Sequence, residues 1–372
     1  MSLTYTIQRS GKYEILIESG LVEKISIIPE FLKGLGCRCA IITNHNLEVI
    51  FGKPLESRLR QSGLDVSLFA FPDGEKFKTR ETKAQLEDRL FEQGYGRDTC
   101  VIALGGGVVT DLAGFVAATF CRGVPLVMIP TSLLGMVDAS IGGKTGVDVP
   151  YGKNLVGCTY QPKRVFIDPS VLKSLPLEEL KNGVVEMIKH GLIADASYFD
   201  FMEQNVFQIL ERDQNALEKG IMGSCRIKLD IIKEDEHEKG KRRLLNLGHT
   251  IGHAVELLTH YAIPHGRAVA IGILVEGFLA MQLGHLKQEN FGRIRAIFEK
   301  YAVDVTLPKP LGVEEIINTM KLDKKSLKQM PRFVILEGIG RPLSCEDSYC
   351  MQVDDGVLKD ALQWMNHDLC RH

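Results

Sequence analysis

The chain has 372 residues, a length that favours two domains, each large enough to bury its own hydrophobic core. Hydrophobic residues make up 45% and charged residues 25% of the sequence, as is ordinary for a globular protein. The formal net charge of −2 leaves no excess of basic residues, so the composition gives no indication of a nucleic-acid partner.

Cysteine usage and the lack of export signals predict a cytoplasmic protein. The nine cysteines are scattered and no pair has Cys-x-x-Cys spacing, so we expect free thiols in a reducing compartment. The chain opens on polar, strand-like residues rather than on a secretory signal. The longest apolar segment, residues 268–283, contains Glu276 and several glycines and is too short to span a bilayer. We predict that it is a buried helix, and we expect no membrane partner.

The first half of the chain alternates short β-rich runs with amphipathic segments such as residues 83–93. The predicted strands are residues 13–17, 39–43, 66–70, 99–104 and 126–129. This alternation is typical of βαβ units around a parallel sheet. Beyond residue 177 helical patterns dominate, and only residues 332–336 resemble a strand. We therefore predict a Rossmann-like α/β domain over residues 1–176 and a mostly α-helical domain over residues 177–372.

A glycine-rich turn follows the predicted strand at residues 99–104 and opens a helical pattern. Gly105, Gly106 and Gly107 would let the backbone approach a diphosphate, and the N–H groups at the helix start would complement its charge. Thr110 stands where the Gly-x-Gly-x-x-Gly fingerprint has its third glycine, so that fingerprint is incomplete. The turn is a candidate dinucleotide site. A tight strand-to-helix turn without a ligand is the alternative.

Three polar segments lie where further ligand contacts are expected. Residues 43–46 and 73–78 end the second and third predicted strands, and ligands of open α/β sheets bind beyond the carboxyl ends of strands. Residues 130–154 mix small, polar and apolar residues, with Lys144 and Lys153 beside glycines. Lysines so placed suit phosphate groups, whereas a surface turn is the alternative.

Residues 242–265 are the most distinctive stretch, because four potential metal ligands recur on one face of a helix predicted to start near His249. These are His249, His253, Glu256 and His260, at i, i+4, i+7 and i+11. His265 lies in a predicted loop that would fold back over this face. Such clustering in a chain with ten histidines favours a divalent metal, zinc in particular, over core histidines. Thr250 replaces the glutamate of a His-Glu-x-x-His peptidase, which argues against a peptidase.

Two further segments carry charged residues. Residues 181–190 predict a helix with Asn182, Glu186 and Lys189 on one face. Glu186 has apolar neighbours, so its carboxylate is expected to pair with a cation or a metal. The densely charged residues 233–243 predict a solvated loop.

Together these motifs resemble the 3-dehydroquinate synthases, the sugar-phosphate cyclases of the shikimate pathway, over almost the whole chain. The matching stretches are residues 73–78, 104–114, 130–154, 186–192 and 244–256, with His265 and Gly266. The resemblance implies NAD in the first domain and zinc or cobalt in the second. Arg122 matches a residue that reaches a neighbouring subunit's site, which implies a homodimer.

The resemblance also implies roles for individual residues. Glu186, His249 and His265 match the metal ligands, so His253 becomes an acid/base residue facing the substrate. Glu238 matches a second acid/base position, and Lys144 a catalytic one. The implied substrate-binding residues are Arg122, Asp138, Lys144, Asn154, Lys189, Lys228, Arg242, Asn246 and either Lys324 or Lys325. The implied NAD-binding residues are Asn44, Asn46, Asp73, Glu75, Lys78, Gly106, Gly107, Val108, Asp111, Thr131, Ser132, Lys153, Val171, Leu172, Lys173, Ser174 and Asn182.

The implied reaction converts 3-deoxy-D-arabino-heptulosonate 7-phosphate into 3-dehydroquinate and phosphate, which would make the protein a carbon–oxygen lyase. It proceeds by transient oxidation with NAD, phosphate elimination, reduction, ring opening and intramolecular aldol closure. The metal acts as a Lewis acid on neighbouring hydroxyls, and NAD is regenerated. Because the substrate is anionic at both its phosphate and its carboxylate, the implied site is rich in lysine and arginine.

Three alternatives share parts of this pattern. The 2-deoxy-scyllo-inosose synthases share most motifs, but they carry an acidic residue where this chain has Asn246 and depart from its pattern at residues 138–144. A glycerol-dehydrogenase-like oxidoreductase shares the fold but follows a different pattern of metal ligands. An inactive NAD-binding regulator is disfavoured, because every catalytic position that could be matched is filled.

Overall fold

A computed structural model describes residues 2–7, 11–24, 26–322, 330–344 and 349–370. The chain forms two compact units, the first comprising residues 1–176 and 217–225, the second residues 177–216 and 226–372. The segment 217–225 groups with the first unit, where the Sγ of Cys225 lies 3.5 Å from the carbonyl oxygen of Met136. The predicted domains, residues 1–176 and 177–372, placed this segment in the second domain. Helical periodicity identifies a helix but does not reveal what the helix packs against.

The first unit is built on a seven-stranded sheet with the order β1-β2-β9-β6-β5-β3-β4. The strands of this unit are β1 (Ser2–Ile7), β2 (Gly11–Ile17), β3 (Arg38–Asn44), β4 (Val66–Phe71), β5 (Thr99–Gly105), β6 (Leu126–Pro130), β7 (Lys144–Val149), β8 (Gly152–Thr159) and β9 (Arg164–Ile167). Every pairing in the large sheet is parallel except that of β1 with β2, and β7 and β8 form a separate antiparallel pair. The five strands expected from the sequence are confirmed as β2 to β6.

Helices connect these strands in the βαβ manner that the alternating pattern predicted. They are α1 (Ile27–Leu35), α2 (His45–Leu47), α3 (Lys53–Gln61), α4 (Arg80–Glu92) and α5 (Gly107–Thr119). Short 3₁₀ segments span Glu75–Phe77, Phe120–Arg122 and Pro169–Ser174, and π-helical turns span Glu48–Gly52 and Gly135–Ala139. Every residue of β5 is buried. A continuous apolar strand is expected where helices cover both faces of a parallel sheet.

The second unit is helical, as predicted. Its helices are α6 (Leu177–Ala194), α7 (Ala196–Gln204), α8 (Val206–Leu210), α9 (Gln214–Glu234, of which residues 217–225 group with the first unit), α10 (His249–Leu258), α11 (His265–Gln282), α12 (Gln288–Lys300), α13 (Val313–Leu322) and α14 (Asp355–Asp368), with a 3₁₀ segment at Lys241–Asn246. A hairpin of β10 (Leu336–Gly338) and β11 (Arg341–Pro342) completes the elements of the described ranges. None of the helices described is both long and apolar enough to cross a membrane.

The strand predicted at residues 332–336 is wrong. In the structure β10 begins at Leu336, and Phe333 forms only an isolated antiparallel bridge with Met351. All four residues from Phe333 to Leu336 are buried. A short, uniformly buried apolar run satisfies the strand pattern whether or not it pairs with a neighbouring strand.

Two glycines let α10 and α11 approach closely. Gly248 precedes α10 with a left-handed φ of +78°, and a Cβ there would lie 2.6 Å from the carbonyl oxygen of Val269. A Cβ on Gly252 would lie 2.9 Å from the carbonyl oxygen of Ala268. Only glycine tolerates such distances from the neighbouring backbone, and at residue 248 also the positive φ. The close packing brings the start of α10 beside the start of α11.

Candidate functional site

Three side chains from three helices converge in the second unit. The possible ligand atoms of Glu186 on α6, His249 on α10 and His265 on α11 lie within 4.8 Å of one another. The Nε2 atoms of His249 and His265 lie 3.7 and 3.8 Å from Oε1 of Glu186. Two imidazoles and one carboxylate are a donor set found in catalytic zinc sites, where a fourth position stays open.

The surroundings of Glu186 fit a bound cation. Its carboxylate is fully buried, and within the described ranges neither oxygen has a partner that meets hydrogen-bond geometry. Lys189 forms an ion pair with Oε2 of Glu186 and donates a hydrogen bond to the carbonyl oxygen of Leu245 at 2.8 Å. A buried carboxylate is costly unless it is compensated by charge and hydrogen bonds. A divalent cation at the converging Nε2 atoms would supply the compensation that Oε1 lacks.

The contacts of Nδ1 orient the rings of His249 and His265. Nδ1 of His249 lies 3.1 Å from the carbonyl oxygen of Leu247, and Nδ1 of His265 lies 3.2 Å from Oε2 of Glu256. A carbonyl and an ionised carboxylate are both acceptors, so each ring carries its proton on Nδ1. The lone pair is then on Nε2, the nitrogen that faces Glu186.

A second possible metal set overlaps the first. His253, Glu256 and His265 also offer ligand atoms within 4.8 Å of one another. The ring centroid of His253 lies 5.4 Å from that of His249 and 6.1 Å from that of His265. Because Glu256 already accepts the hydrogen bond from His265, we favour it as an orienting group rather than a ligand. Its role was missed in the sequence, since spacing places Glu256 on the histidine face without indicating which neighbour it binds.

Two expectations about histidine placement are wrong. His260 does not share the face of α10, because that helix ends at Leu258 and His260 has a left-handed φ of +51°. His265 does not lie in a loop but is the first residue of α11, which follows Pro264. Proline immediately before or within the first turn of a helix costs no backbone hydrogen bond. The regular spacing of the histidines led to a predicted helix that reached His260, whereas α10 ends at Leu258.

The orientation of His265 leads to a prediction about metal affinity. Glu256→Gln removes the charge that fixes the Nδ1 proton, so zinc affinity should fall by about tenfold, the lower end of the range for such orienting groups. His260→Ala is the control, because that histidine lies beyond the end of α10. Titration of metal-free protein against a chromogenic chelator measures both variants. Unchanged affinity in Glu256→Gln, or an equal loss in the control, would contradict this role.

A loop beside the metal candidates contains the second acid/base candidate. Asn246 Nδ2 donates a hydrogen bond to Oε1 of Glu238 at 2.7 Å. Arg242 is 2% exposed, and its Nη1 donates to the carbonyl oxygen of Glu236. The predicted solvated loop at residues 233–243 is therefore wrong at Arg242. The high density of charged residues predicted an exposed loop, but the guanidinium of Arg242 is buried and donates its hydrogen bond to the backbone of the same loop. Lys228, on α9, is buried as well.

In the first unit, the glycine-rich turn has the predicted strand-to-helix geometry. β5 ends at Gly105, Gly106 is the N-cap, and α5 begins at Gly107. A Cβ on Gly106 would lie 3.1 Å from Oγ of Ser132, and the N–H of Thr131 donates to the carbonyl oxygen of Gly105 at 3.0 Å. The turn thus lies against the segment after β6. Candidate NAD-binding residues from two parts of the sequence come together here.

Lys78 connects several other NAD candidates. Its Nζ donates to Asp111 at 2.6 Å and to Asn154 at 2.5 Å, and lies 3.8 Å from Glu75. Glu75 also lies 3.7 Å from Nζ of Lys153. Burial opposes the charge of Lys78, but the carboxylates of Asp111 and Glu75 outweigh it and raise the pKa of Lys78. Burial raises the pKa of Asp111.

The two polar turns after β3 and β4 also lie together. The N–H of Asn46 donates to Oδ1 of Asp73 at 3.1 Å, and Oδ1 of Asn44 accepts from the N–H of Leu47 at 3.1 Å. Because β3 and β4 are neighbouring parallel strands, their carboxyl ends meet at one edge. Both turns therefore lie beyond the carboxyl ends of strands, the position where ligands of open α/β sheets bind.

The remaining candidates are placed as follows. Val108 lies in the first turn of α5, and Arg122 ends a 3₁₀ segment with a left-handed φ of +71°. Asp138 lies in the π-helical turn Gly135–Ala139, and Lys144 begins β7. The 3₁₀ segment after β9 contains Val171, Leu172, Lys173 and Ser174, and Asn182 lies on α6 in the second unit. Lys324 and Lys325 lie outside the described residues. Asp148 lies in the candidate segment 130–154 without having been assigned a role, and its Oδ1 accepts the N–H of Asn154 at 2.8 Å.

Comparisons with known proteins agree over most of the chain. Family models described as 3-dehydroquinate synthase N-terminal and C-terminal match residues 68–182 and 183–326. The 3-dehydroquinate synthase of Nitrosomonas europaea is 42% identical over 337 residues, covering 90% of this chain and 90% of that protein.

Two solved structures share the fold. A 2-deoxy-scyllo-inosose synthase complexed with carbaglucose-6-phosphate, NAD⁺ and Co²⁺ superposes with a TM-score of 0.89 at 24% identity, covering 99% of this chain and 100% of its own. The 2-epi-5-epi-valiolone synthase from Streptomyces hygroscopicus subsp. jinggangensis, with NAD⁺ and Zn²⁺ bound, superposes with a TM-score of 0.86 at 26% identity, covering 96% and 97%. The predicted fold class, an α/β domain followed by a helical one, is confirmed.

Proposed function

Because the chain belongs to the 3-dehydroquinate synthase family, we propose that it converts 3-deoxy-D-arabino-heptulosonate 7-phosphate into 3-dehydroquinate and phosphate. The observation that carries the proposal is the convergence of His249 and His265 on the buried carboxylate of Glu186. Incubation of the protein with NAD, zinc and the heptulosonate phosphate tests it, with release of inorganic phosphate as the readout. No phosphate above the no-enzyme control would refute it.

Two cofactors belong to this proposal. NAD is assigned to the glycine-rich turn and the Lys78 network, and zinc or cobalt to Glu186, His249 and His265. Support comes from the valiolone synthase structure, which has NAD⁺ and Zn²⁺ bound, and from the fit of the three side chains to a divalent cation. When bound, NAD supplies reversible oxidation of the substrate, and the metal polarises the substrate's hydroxyl groups.

The chain's own residues bind, orient and exchange protons. His253 lies beside His249 and is assigned to proton transfer with the substrate. Glu238 is the second acid/base residue, with its carboxylate hydrogen-bonded by Asn246. Lys144 and Arg242, with Lys189 and Lys228, are assigned to the substrate's two anionic groups. Because the reaction breaks the carbon–oxygen bond to phosphate, the protein is classed under this proposal as a lyase.

We further propose a cytoplasmic homodimer in which Arg122 serves the site of the partner subunit. The side chain of Arg122 is exposed, and the backbone presents it through two successive left-handed residues, Cys121 at φ +49° and Arg122 at +71°. Such conformations persist in non-glycine residues only where the surroundings hold them, so this arginine is displayed in a defined position.

Lys144→Ala is expected to weaken binding of the substrate's anionic groups without unfolding the chain, because Lys144 is an exposed residue at the start of β7. Charge-assisted hydrogen bonds are worth about 1.5–3 kcal/mol, which corresponds to roughly ten- to hundredfold in affinity. Titration with a non-reactive phosphonate analogue measures the loss. Lys163→Ala, at another exposed lysine of the same unit, is the control. Equal affinity in both variants would place the anion site elsewhere.

Arg242→Ala should weaken binding as well, but it also removes a buried guanidinium from its loop.

A further inference from the structure

The loop between α9 and α10, residues 235–246, is organised around one carboxylate. Asp235 accepts the N–H of Lys239 on Oδ1 at 3.0 Å, and the N–H groups of Gly240 and Arg242 on Oδ2 at 2.7 and 3.1 Å. Burial opposes the charge of Asp235, but the three N–H groups hold the pKa of its carboxyl below its usual value. The side chain at the end of α9 therefore anchors the backbone of the loop at three points.

Glu238 lies within the turn that these bonds close. Its φ is +58°, a left-handed conformation that a non-glycine residue keeps only when its surroundings hold it there. From this conformation the carboxylate reaches Asn246, whose Nδ2 donates to Oε1 at 2.7 Å. The position of the acid/base candidate thus depends on a backbone conformation that glutamate does not favour by itself.

The same carboxylate fixes the far end of the loop. The N–H of Arg242 is bound by Asp235, and Nη1 of Arg242 returns to the carbonyl oxygen of Glu236. Arg242 belongs to the 3₁₀ segment that ends at Asn246. Both members of the pair formed by Glu238 and Asn246 are therefore connected to Asp235 through the backbone.

We propose that Asp235 is a positioning residue, which holds Glu238 in its left-handed conformation and against Asn246. The inference rests on the proposed function, since that function assigns acid/base work to Glu238. Asp235 acts only through Glu238 and touches no reacting atom.

A second carboxylate provides a matched control. Glu234, the residue before Asp235, accepts hydrogen bonds from Nζ of Lys241 on its two carboxylate oxygens at 2.7 and 2.8 Å, and so connects the same two ends of the loop. It binds a side chain rather than backbone N–H groups, and both partners are partly exposed. Exposed ion pairs contribute little, so Glu234→Gln should leave the loop in place.

A double-mutant cycle tests whether Asp235 acts through Glu238. Asp235→Ala should lower kcat by about ten- to hundredfold, the scale of a misplaced acid/base group, while bound metal stays stoichiometric. Glu234→Gln should stay within about twofold of wild type. In a Glu238→Gln background, Asp235→Ala should change kcat by less than about twofold. If Asp235→Ala lowered kcat as strongly in the Glu238→Gln background as in the wild-type background, Asp235 would have a general structural role and the proposal would be overturned. Asp235→Asn, which keeps one acceptor oxygen, should give an intermediate kcat.

Limited trypsin digestion provides a readout that does not need turnover. Asp235→Ala should release the backbone on either side of Lys239 and Lys241 and speed native-state cleavage there by at least about tenfold, because local opening of the backbone sets the rate of cleavage. Glu234→Gln should be cut at the wild-type rate. If the wild-type protein releases no phosphate, the proposed function fails while this digestion still tests the loop. Equal cleavage of Asp235→Ala and wild type would overturn the inference.

Discussion

His249→Ala and His265→Ala are each expected to abolish stoichiometric zinc binding, whereas His253→Ala should retain the metal and lose turnover. The reason is that Nε2 of both His249 and His265 faces Oε1 of Glu186, a set to which His253 does not belong. Removal of one of three protein ligands leaves too few donors for a stable site. Metal analysis of the purified variants, together with phosphate release, measures both effects.

The same experiment separates the two overlapping ligand sets. If the metal instead occupied His253, Glu256 and His265, then His249→Ala would keep its zinc and His253→Ala would lose it. His260→Ala should match wild type in both measurements, because that residue follows the end of α10. A metal-free His253→Ala protein would overturn the assignment of Glu186, His249 and His265.

Asn246→Glu is expected to lower turnover of the heptulosonate phosphate by well over tenfold. Asn246 donates to the carboxylate of Glu238 at 2.7 Å, so a glutamate at position 246 would place two carboxylates together and would also repel the substrate's carboxylate. Like charges at this distance in a partly buried site cost more than about 1.4 kcal/mol, which is a factor of ten. Asn246→Gln has the length of glutamate without its charge, so the difference between these two variants isolates the electrostatic part.

Steady-state assays on two substrates decide which cyclase reaction the site supports. Wild type should turn over the heptulosonate phosphate and show no measurable activity on glucose 6-phosphate, which has no carboxylate. The likeness to the 2-deoxy-scyllo-inosose synthase structure, at 24% identity, shows the fold but not the substrate. If wild type preferred glucose 6-phosphate, or Asn246→Glu kept full heptulosonate activity, the assignment to 3-dehydroquinate synthesis would have to be abandoned.

Features that depend on neighbours in the chain could be predicted from the sequence. Short β-rich runs identified β2 to β6, and the glycines at residues 105–107 identified the turn between β5 and α5. The start of α10 at His249 followed from the return of helical periodicity after Gly248. Residue spacing reports these features reliably because a strand, a turn and a helix face are each formed by residues close in sequence.

The candidate metal centre was decided only by tertiary packing. Spacing proposed His249, His253, Glu256 and His260, all from one helix, whereas the converging set takes one residue from each of α6, α10 and α11. The sequence around Glu186 predicted a cation or metal partner, and His265 was expected to fold back over the histidine face, but only the motif resemblance grouped these two residues with His249. The approach of His249 to His265 depends on close contact of α10 with α11, which Gly248 and Gly252 permit and which no local pattern encodes.

The loop at residues 235–246 shows the same division. Its charge density correctly indicated polar residues but wrongly indicated solvent exposure at Arg242, which is 2% exposed. Three backbone N–H groups bind Asp235 there, and whether a carboxylate faces water or its own backbone depends on the path of the chain. Composition determines which groups must be satisfied, and the tertiary structure decides which partners satisfy them.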